Sequence, residues 1–135
     1  ESVRRLRQRV RALLRTGRGR SLSRTIETLK PLLRGWINYF GLTQTKGVLE
    51  QLDSWLRRRM RCLLWRQWKR GRTRVRKLLA RGLAADRARL SAYNGRGPWW
   101  NAGASHMNLA FPAAYFTRLG LVPLLATQQR LQSVR

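Results

Sequence analysis

Residues 46–69 read KGVLEQLDSWLRRRMRCLLWRQWK, and this stretch decides the fold that the sequence predicts. An α-helix advances by about 100° per residue. At that spacing one narrow arc carries only apolar side chains, those of Leu49, Leu52, Leu56, Met60 and Leu63. The opposite side carries Arg58, Arg61, Trp65 and Lys69. The pattern therefore predicts one long helix with a core face and a basic back face, on which the indole of Trp65 is accessible.

Helical periodicity also dominates the rest of the chain, whereas alternating strand patterns are scarce. A second long helix is predicted from about Ser23 to Gly41, and Pro31 inside it indicates a kink or two short helices that meet there. Gly35 is expected to let another helix approach closely. Residues 94–105, NGRGPWWNAGAS, have the composition of a loop. We predict an all-α fold, a helical bundle with a smaller extension of helices and loops.

Charge is the strongest compositional signal. The 135 residues include thirty Lys or Arg and five Asp or Glu, which gives a net charge of +25 at pH 7. Repulsion on this scale destabilises a compact chain unless a polyanion or salt neutralises it. Most of the cations are arginines, whose planar guanidinium groups bind phosphate in a bidentate manner and stack on bases. The composition favours nucleic acid as the partner over an anionic membrane surface.

Several classes of site are excluded by the residues that are present. Metal sites need clustered His, Cys, Asp or Glu, and the single Cys62 and single His106 are far apart in sequence. Glu50 and Asp53 form the closest pair of acids, and they are expected to favour the N-terminal part of their own helix through its dipole. His106 is expected to be a hydrogen-bonding loop residue. The sequence predicts no catalytic residue, metal or cofactor in this chain, and no membrane span, because its longest apolar run is short.

Basic residues follow one another from the third helix into the segment after it, and a smaller group precedes the second helix. Nucleic-acid binding needs cations that track phosphates and aromatic rings that stack on bases. Trp99 and Trp100 are candidates for stacking, although such a pair more often pins a loop to a core, and Trp36 and Tyr39 are expected in the core. The alternative for the basic set is a solvated charged face with Trp65 under a neighbouring element. The candidate RNA-binding residues are Arg18, Arg20, Arg57, Arg58, Arg61, Trp65, Arg66, Lys69, Arg70, Arg72, Arg74, Arg76 and Lys77.

Four stretches carry a resemblance to a known family: LKPLLRGWINYF (29–40), LDSWLRRRMRCLLWRQWKR (52–70), GPWWNAGASHMN (97–108) and AYFTRLGL (114–121). Together and in this order they resemble the maturase domain (domain X, the thumb) of group II intron reverse transcriptases. The resemblance implies that residues 1–80 are the thumb-like bundle, which binds intron RNA to promote splicing and supports template and primer binding during intron mobility. It implies that residues 81–135 are an extension associated with target DNA, without an endonuclease module.

The resemblance also sets expectations about the parent protein. The Tyr-Ala-Asp-Asp motif of the palm is absent and the chain starts at Glu1, so we expect a non-catalytic fragment whose fingers and palm lie elsewhere. Mg²⁺ is then expected for the parent polymerase and the intron RNA, and the expected location is the bacterial cytoplasm. Apolar surface that normally meets the palm is expected to permit self-association. Three alternatives remain: a structural thumb with little RNA affinity of its own, a duplex-DNA-binding module and a basic amphipathic membrane binder.

Overall fold

The computed structural model describes residues 1–16 and 19–134. Within these ranges every regular element is helical and no strand is present, so the predicted all-α fold is confirmed. A short 3₁₀ helix, Gly41–Thr43, connects α2 to α3. The α-helices of the described residues are α1 Ser2–Thr16, α2 Leu22–Phe40, α3 Lys46–Gln67, α4 Gly71–Ala80, α5 Ala85–Ala92, α6 Pro98–Gly103, α7 Ser105–Ala110, α8 Ala113–Arg118 and α9 Leu124–Ser133.

The chain divides into two compact units, and the division falls inside α3. The first unit comprises Glu1–Trp55 and Thr117–Arg135, and the second comprises Leu56–Phe116. These limits differ from the predicted boundary between residues 80 and 81. That boundary separates an RNA-binding part from a DNA-associated part, and as a functional division it stays a prediction.

The core of the first unit is formed by α1, α2, the start of α3 and the C-terminal segment. Leu6, Val10 and Ile26 are buried, as are Leu49 and Leu52 on the predicted core face of α3. The two oxygens of the Asp53 carboxylate accept hydrogen bonds from the backbone N–H groups of Leu124, at 2.8 Å, and Leu125, at 3.1 Å. Asp53 therefore caps the first turn of α9, which corrects the prediction that it serves the N-terminal part of its own helix.

Helix α2 differs from its prediction in three places. It is a single helix that passes through Pro31, which excludes the alternative of two short helices, while a kink at Pro31 stays a prediction. A Cβ atom at Gly35 would meet nothing within 4 Å, so the expected close approach of another helix is also wrong. Trp36 is buried as predicted, but Tyr39 is 81% exposed and does not belong to the core. The two rings are three residues apart on a helix with only one buried face, and Tyr39 lies outside that face.

The second unit packs the end of α3 and α4–α8 around a core that includes Leu56, Met60 and Phe116. Leu63, which was predicted on the core face, is only partly buried. The predicted loop at 94–105 is wrong, because residues 98–103 form α6. Pro98 occupies the first turn of this helix, where its missing N–H costs no hydrogen bond. The Nδ2 group of Asn101 donates to the carbonyl oxygens of Arg96, at 3.0 Å, and Gly97, at 2.9 Å, and thereby fixes the turn before α6.

Candidate nucleic-acid interface

Two arginines of the predicted basic face bind neutral groups inside the second unit. The guanidinium of Arg58 donates from Nη2 to the carbonyl oxygen of Trp99 at 2.7 Å, and its carbon lies 4.0 Å from the centre of the Trp99 ring. Gly103 makes room for it, since a Cβ atom there would lie 2.6 Å from Cζ of Arg58. Arg61 donates from Nε to the carbonyl oxygen of Phe111 at 2.9 Å and is 6% exposed. Arg58 is partly accessible, whereas Arg61 is a core residue.

Trp65 is 1% exposed and lies among side chains of the second unit. Its ring centre is 4.5 Å from the guanidinium of Arg74, 5.4 Å from the His106 ring and 6.2 Å from the Trp68 ring. The prediction that Arg61 and Trp65 lie on an accessible back face is therefore wrong. Helices α4 and α7 and the chain around Phe111 cover this side of α3, as in the alternative that placed Trp65 under a neighbouring element. Trp65 is not positioned to stack on a base.

Arginine over an aromatic ring is a recurring contact in both units. In the second unit the guanidinium carbons of Arg81 and Arg96 lie 4.6 Å from the Tyr115 ring centre and 4.8 Å from the Trp100 ring centre, respectively. In the first unit, Arg7 and Arg11 each lie 5.5 Å from the Trp55 ring centre. Such cation–π contacts are favourable without a carboxylate. They explain why large aromatic side chains occur among like charges in this sequence.

Burial lowers the pKa of three ionisable groups in the second unit. The pKa of Arg61 is lowered to about 10, first through desolvation and second through the nearby charge of Arg57. Desolvation also lowers the pKa of Arg74. The pKa of His106 is lowered by desolvation and then by Arg87. Arg61 and Arg74 keep their charges at neutral pH, whereas His106 is held neutral.

His106 belongs to a polar cluster next to α6. Its Nε2 group forms a 2.9 Å hydrogen bond with Oδ1 of Asn101, which also accepts from Nδ2 of Asn94 at 2.7 Å. The predicted hydrogen-bonding role is confirmed, but the residue lies in α7 and not in a loop. Among the described residues, no group of three or more His, Cys, Asp or Glu is placed to hold a metal ion. His106 therefore stabilises α6 through its hydrogen bond to Asn101.

Most of the predicted RNA-binding residues are accessible. Trp99 and Trp100 are partly exposed at the start of α6, while Arg18 lies outside the described residues. In the described part of the chain, the exposed cations that follow the middle of α3 have no carboxylate partner. The exposed members of the predicted set are Arg20, Arg66, Lys69, Arg70, Arg72, Arg76 and Lys77, and the partly buried members are Arg57, Arg58 and Arg74.

A second basic surface in the first unit was missed by the sequence analysis. Lys30 and Arg34 of α2 and Arg130 of α9 line a cleft of about 410 Å³. Gly120 lies beside it at φ +104°, and a Cβ atom there would come within 3.3 Å of Nζ of Lys30. The spacing of Lys30 and Arg34 places both on one helical face, which was the available signal. Nothing in the sequence indicated that Arg130, almost a hundred residues later, would line the same cleft.

The sequence of this chain matches a known protein family. A family model described as "Group II intron, maturase-specific domain" matches residues 3–82, which is more than half of the chain. The match confirms the resemblance drawn from the stretches at 29–40 and 52–70 and connects the chain to group II intron splicing. No curated protein gives a significant match. None of the described helices has the combination of length and apolar character that a membrane span requires.

Proposed function

Because the chain belongs to the group II intron maturase-specific domain family, we propose that it binds intron RNA and promotes splicing by stabilising the active RNA fold. The RNA supplies the splicing chemistry, and the protein supplies positive charge and shape. Within a reverse transcriptase, the same surface supports the binding of template and primer during intron mobility. Residues 81–135 add contacts to target DNA in this proposal.

One observation supports the proposal most directly. Six accessible cations lie between Arg66 and Lys77, and none of them has a carboxylate partner within the described part of the chain. By contrast, the carboxylates of Glu1, Glu27 and Glu50 pair with cations of the first unit. Unpaired cations on a surface bind phosphates with release of counterions, which provides free energy for association with RNA. We call the six residues the α3–α4 basic strip: Arg66, Lys69, Arg70, Arg72, Arg76 and Lys77.

Salt dependence of RNA affinity tests this electrostatic account. If roughly eight phosphates are contacted, the logarithm of the association constant should fall against the logarithm of the salt concentration with a slope of roughly −6 to −7. The measurement uses the chain with a labelled intron RNA at constant pH. A slope near zero would exclude binding through phosphates. A non-intron RNA of equal length measures the specificity, and a duplex DNA competitor tests the DNA-binding alternative.

Paired variants test whether the α3–α4 basic strip carries the contacts. Lys69→Ala combined with Arg70→Ala should weaken RNA binding on the order of tenfold and reduce the salt slope by about 2. The matched control is Arg5→Ala combined with Lys46→Ala, which removes the same charge from exposed residues that pair with Glu1 and Glu50. Equal losses in both double variants would mean that net charge, and not this strip, determines the affinity. If the unmodified chain does not bind RNA at all, the structural-thumb alternative applies.

A further inference from the structure

A small hollow in the second unit combines apolar and cationic walls. Its volume is about 380 Å³, within the range of small-molecule sites. One face of α4 provides its floor, since the lining residues there follow the helical spacing of three and four. One turn at the end of α5 provides the opposite wall. The lining residues are Arg72, Val75, Arg76 and Leu79 from α4, with Arg89 and Tyr93 from the α5 side; we call this hollow the Tyr93 pocket.

Tyr93 is exposed yet held against the main chain of α4. It is 66% exposed. A Cβ atom at Gly71, the first residue of α4, would lie 2.6 Å from Cδ1 of the Tyr93 ring, so only glycine allows the ring to rest there. The ring is therefore supported on one side by backbone while its other side is accessible. Base stacking in single-stranded RNA sites uses an accessible ring of this kind.

The charges of the pocket suit an anion. Arg72, Arg76 and Arg89 are exposed, and none of them has a carboxylate partner in the part of the chain that the structure describes. Arg89 makes one long hydrogen bond, from Nε to the carbonyl oxygen of Ala85 at 3.5 Å. Val75 and Leu79 add apolar surface to the same lining. A flat apolar body with an attached phosphate is complementary to this arrangement, whereas an acidic peptide gives no role to a supported ring.

We propose that the Tyr93 pocket binds one unstacked nucleotide, with the base on the Tyr93 ring and the phosphate on the guanidinium groups of Arg72, Arg76 and Arg89. The inference deepens the proposed RNA binding and rests on it for the source of the nucleotide. That source is either a residue of a single-stranded RNA segment or a free nucleoside monophosphate. The two share the same chemistry, and the experiment separates them.

The first experiment measures the affinity of the whole chain for a short single-stranded RNA. Tyr93→Leu should weaken binding about tenfold, the value of one stacked base, whereas Tyr93→Phe should retain it. Tyr39→Leu is the matched control, since Tyr39 is also an exposed tyrosine but lies in the first unit. Gly71→Ala should displace the ring and lower the affinity as Tyr93→Leu does, without loss of helicity because alanine favours helices. Affinity for an RNA duplex of the same length should not change in any of these variants.

A second experiment identifies the occupant. The NMR signals of the Tyr93 ring are followed while a single-stranded RNA, a nucleoside monophosphate or an acidic peptide of equal charge is added. Shifts with the RNA alone identify the occupant as a nucleotide of an RNA segment, and shifts with the monophosphate identify it as a free nucleotide. Either result supports nucleotide binding in the Tyr93 pocket. Shifts with the peptide alone, or unchanged RNA affinity in Tyr93→Leu, overturn it. If the unmodified chain binds no RNA of any kind, the proposed function itself is refuted.

Discussion

Substitution of Asp53 tests the contact that joins α9 to α3. The carboxylate accepts from the backbone N–H groups of Leu124 and Leu125, at 2.8 and 3.1 Å, which are the first two residues of α9 and have no acceptor within that helix. A hydrogen bond to a charged group contributes about 1.5–3 kcal/mol, and the loss of an N-cap costs about 0.5–2 kcal/mol. Asp53→Ala removes both hydrogen bonds, but Asp53 is partly exposed, so water can replace part of what is lost. We therefore expect the free energy of unfolding to fall by about 2–3 kcal/mol.

Two further variants separate capping from a general effect of charge. Asp53→Asn keeps one acceptor oxygen and should cost about half as much as Asp53→Ala. Glu50→Ala removes an exposed carboxylate one turn earlier, whose contact with Lys46 is 3.9 Å long, and should change the free energy of unfolding by less than about 0.5 kcal/mol.

Urea unfolding followed by circular dichroism gives the free energies, and hydrogen exchange gives the local effect. The amide protons of Leu124 and Leu125 should exchange faster in Asp53→Ala than in Glu50→Ala, since Asp53 accepts the hydrogen bonds that they donate. Equal costs for Asp53→Ala and Glu50→Ala would refute the assignment of Asp53 to α9. They would favour the earlier interpretation, in which both acids stabilise their own helix through its dipole.

Three other substitutions test the buried polar contacts, with Arg66→Ala as an exposed control for the first. Arg61→Ala removes the hydrogen bond to the Phe111 carbonyl and should cost about 2–3 kcal/mol in urea unfolding, whereas Arg66→Ala, on the exposed surface, should leave stability unchanged and weaken RNA binding. Since the pKa of His106 is lowered in the folded state, the unfolded chain binds a proton first, so stability should fall as the pH drops below about 6.5; in His106→Gln this part of the pH dependence should disappear. Gln128→Ala removes donors to two backbone carbonyls, at 2.7 and 2.8 Å, and should lower the urea midpoint by an amount equivalent to about 1–3 kcal/mol.

The helical periodicity made the core face of α3 predictable. Leu49, Leu52, Leu56 and Met60 are all buried, because a stripe at spacings of three and four residues has only one way to avoid water. The same reasoning failed for Trp65, since a helical pattern shows which residues share a side but not which sides become covered. Trp65 is covered by elements as distant in the chain as α7, whose His106 lies 41 residues later.

Long-range polar contacts had no signal in the sequence. The carboxylate of Asp53 and the amides of α9 are about seventy residues apart, and the guanidinium of Arg58 meets Trp99 forty-one residues later. Local composition assigned residues 94–105 to a loop, because Gly and Asn are frequent there. In the structure the Asn101 side chain satisfies the preceding carbonyls, and a short helix forms. Hydrogen bonds from one side chain to carbonyls four and five residues earlier outweighed the loop propensity of the local composition at this point.

The neutral partners of the interior arginines have a practical consequence for handling the protein. Contacts such as those of Arg58 with Trp99 and Arg74 with Trp65 contain no ion pair, and partly buried charges are screened less than exposed ones. Concentrated salt should therefore dissociate co-purifying polyanions from the protein surface while the protein stays folded. In one buffer series that varies only the ionic strength, the fraction of protein with bound polyanion should therefore change while the folded fraction stays constant.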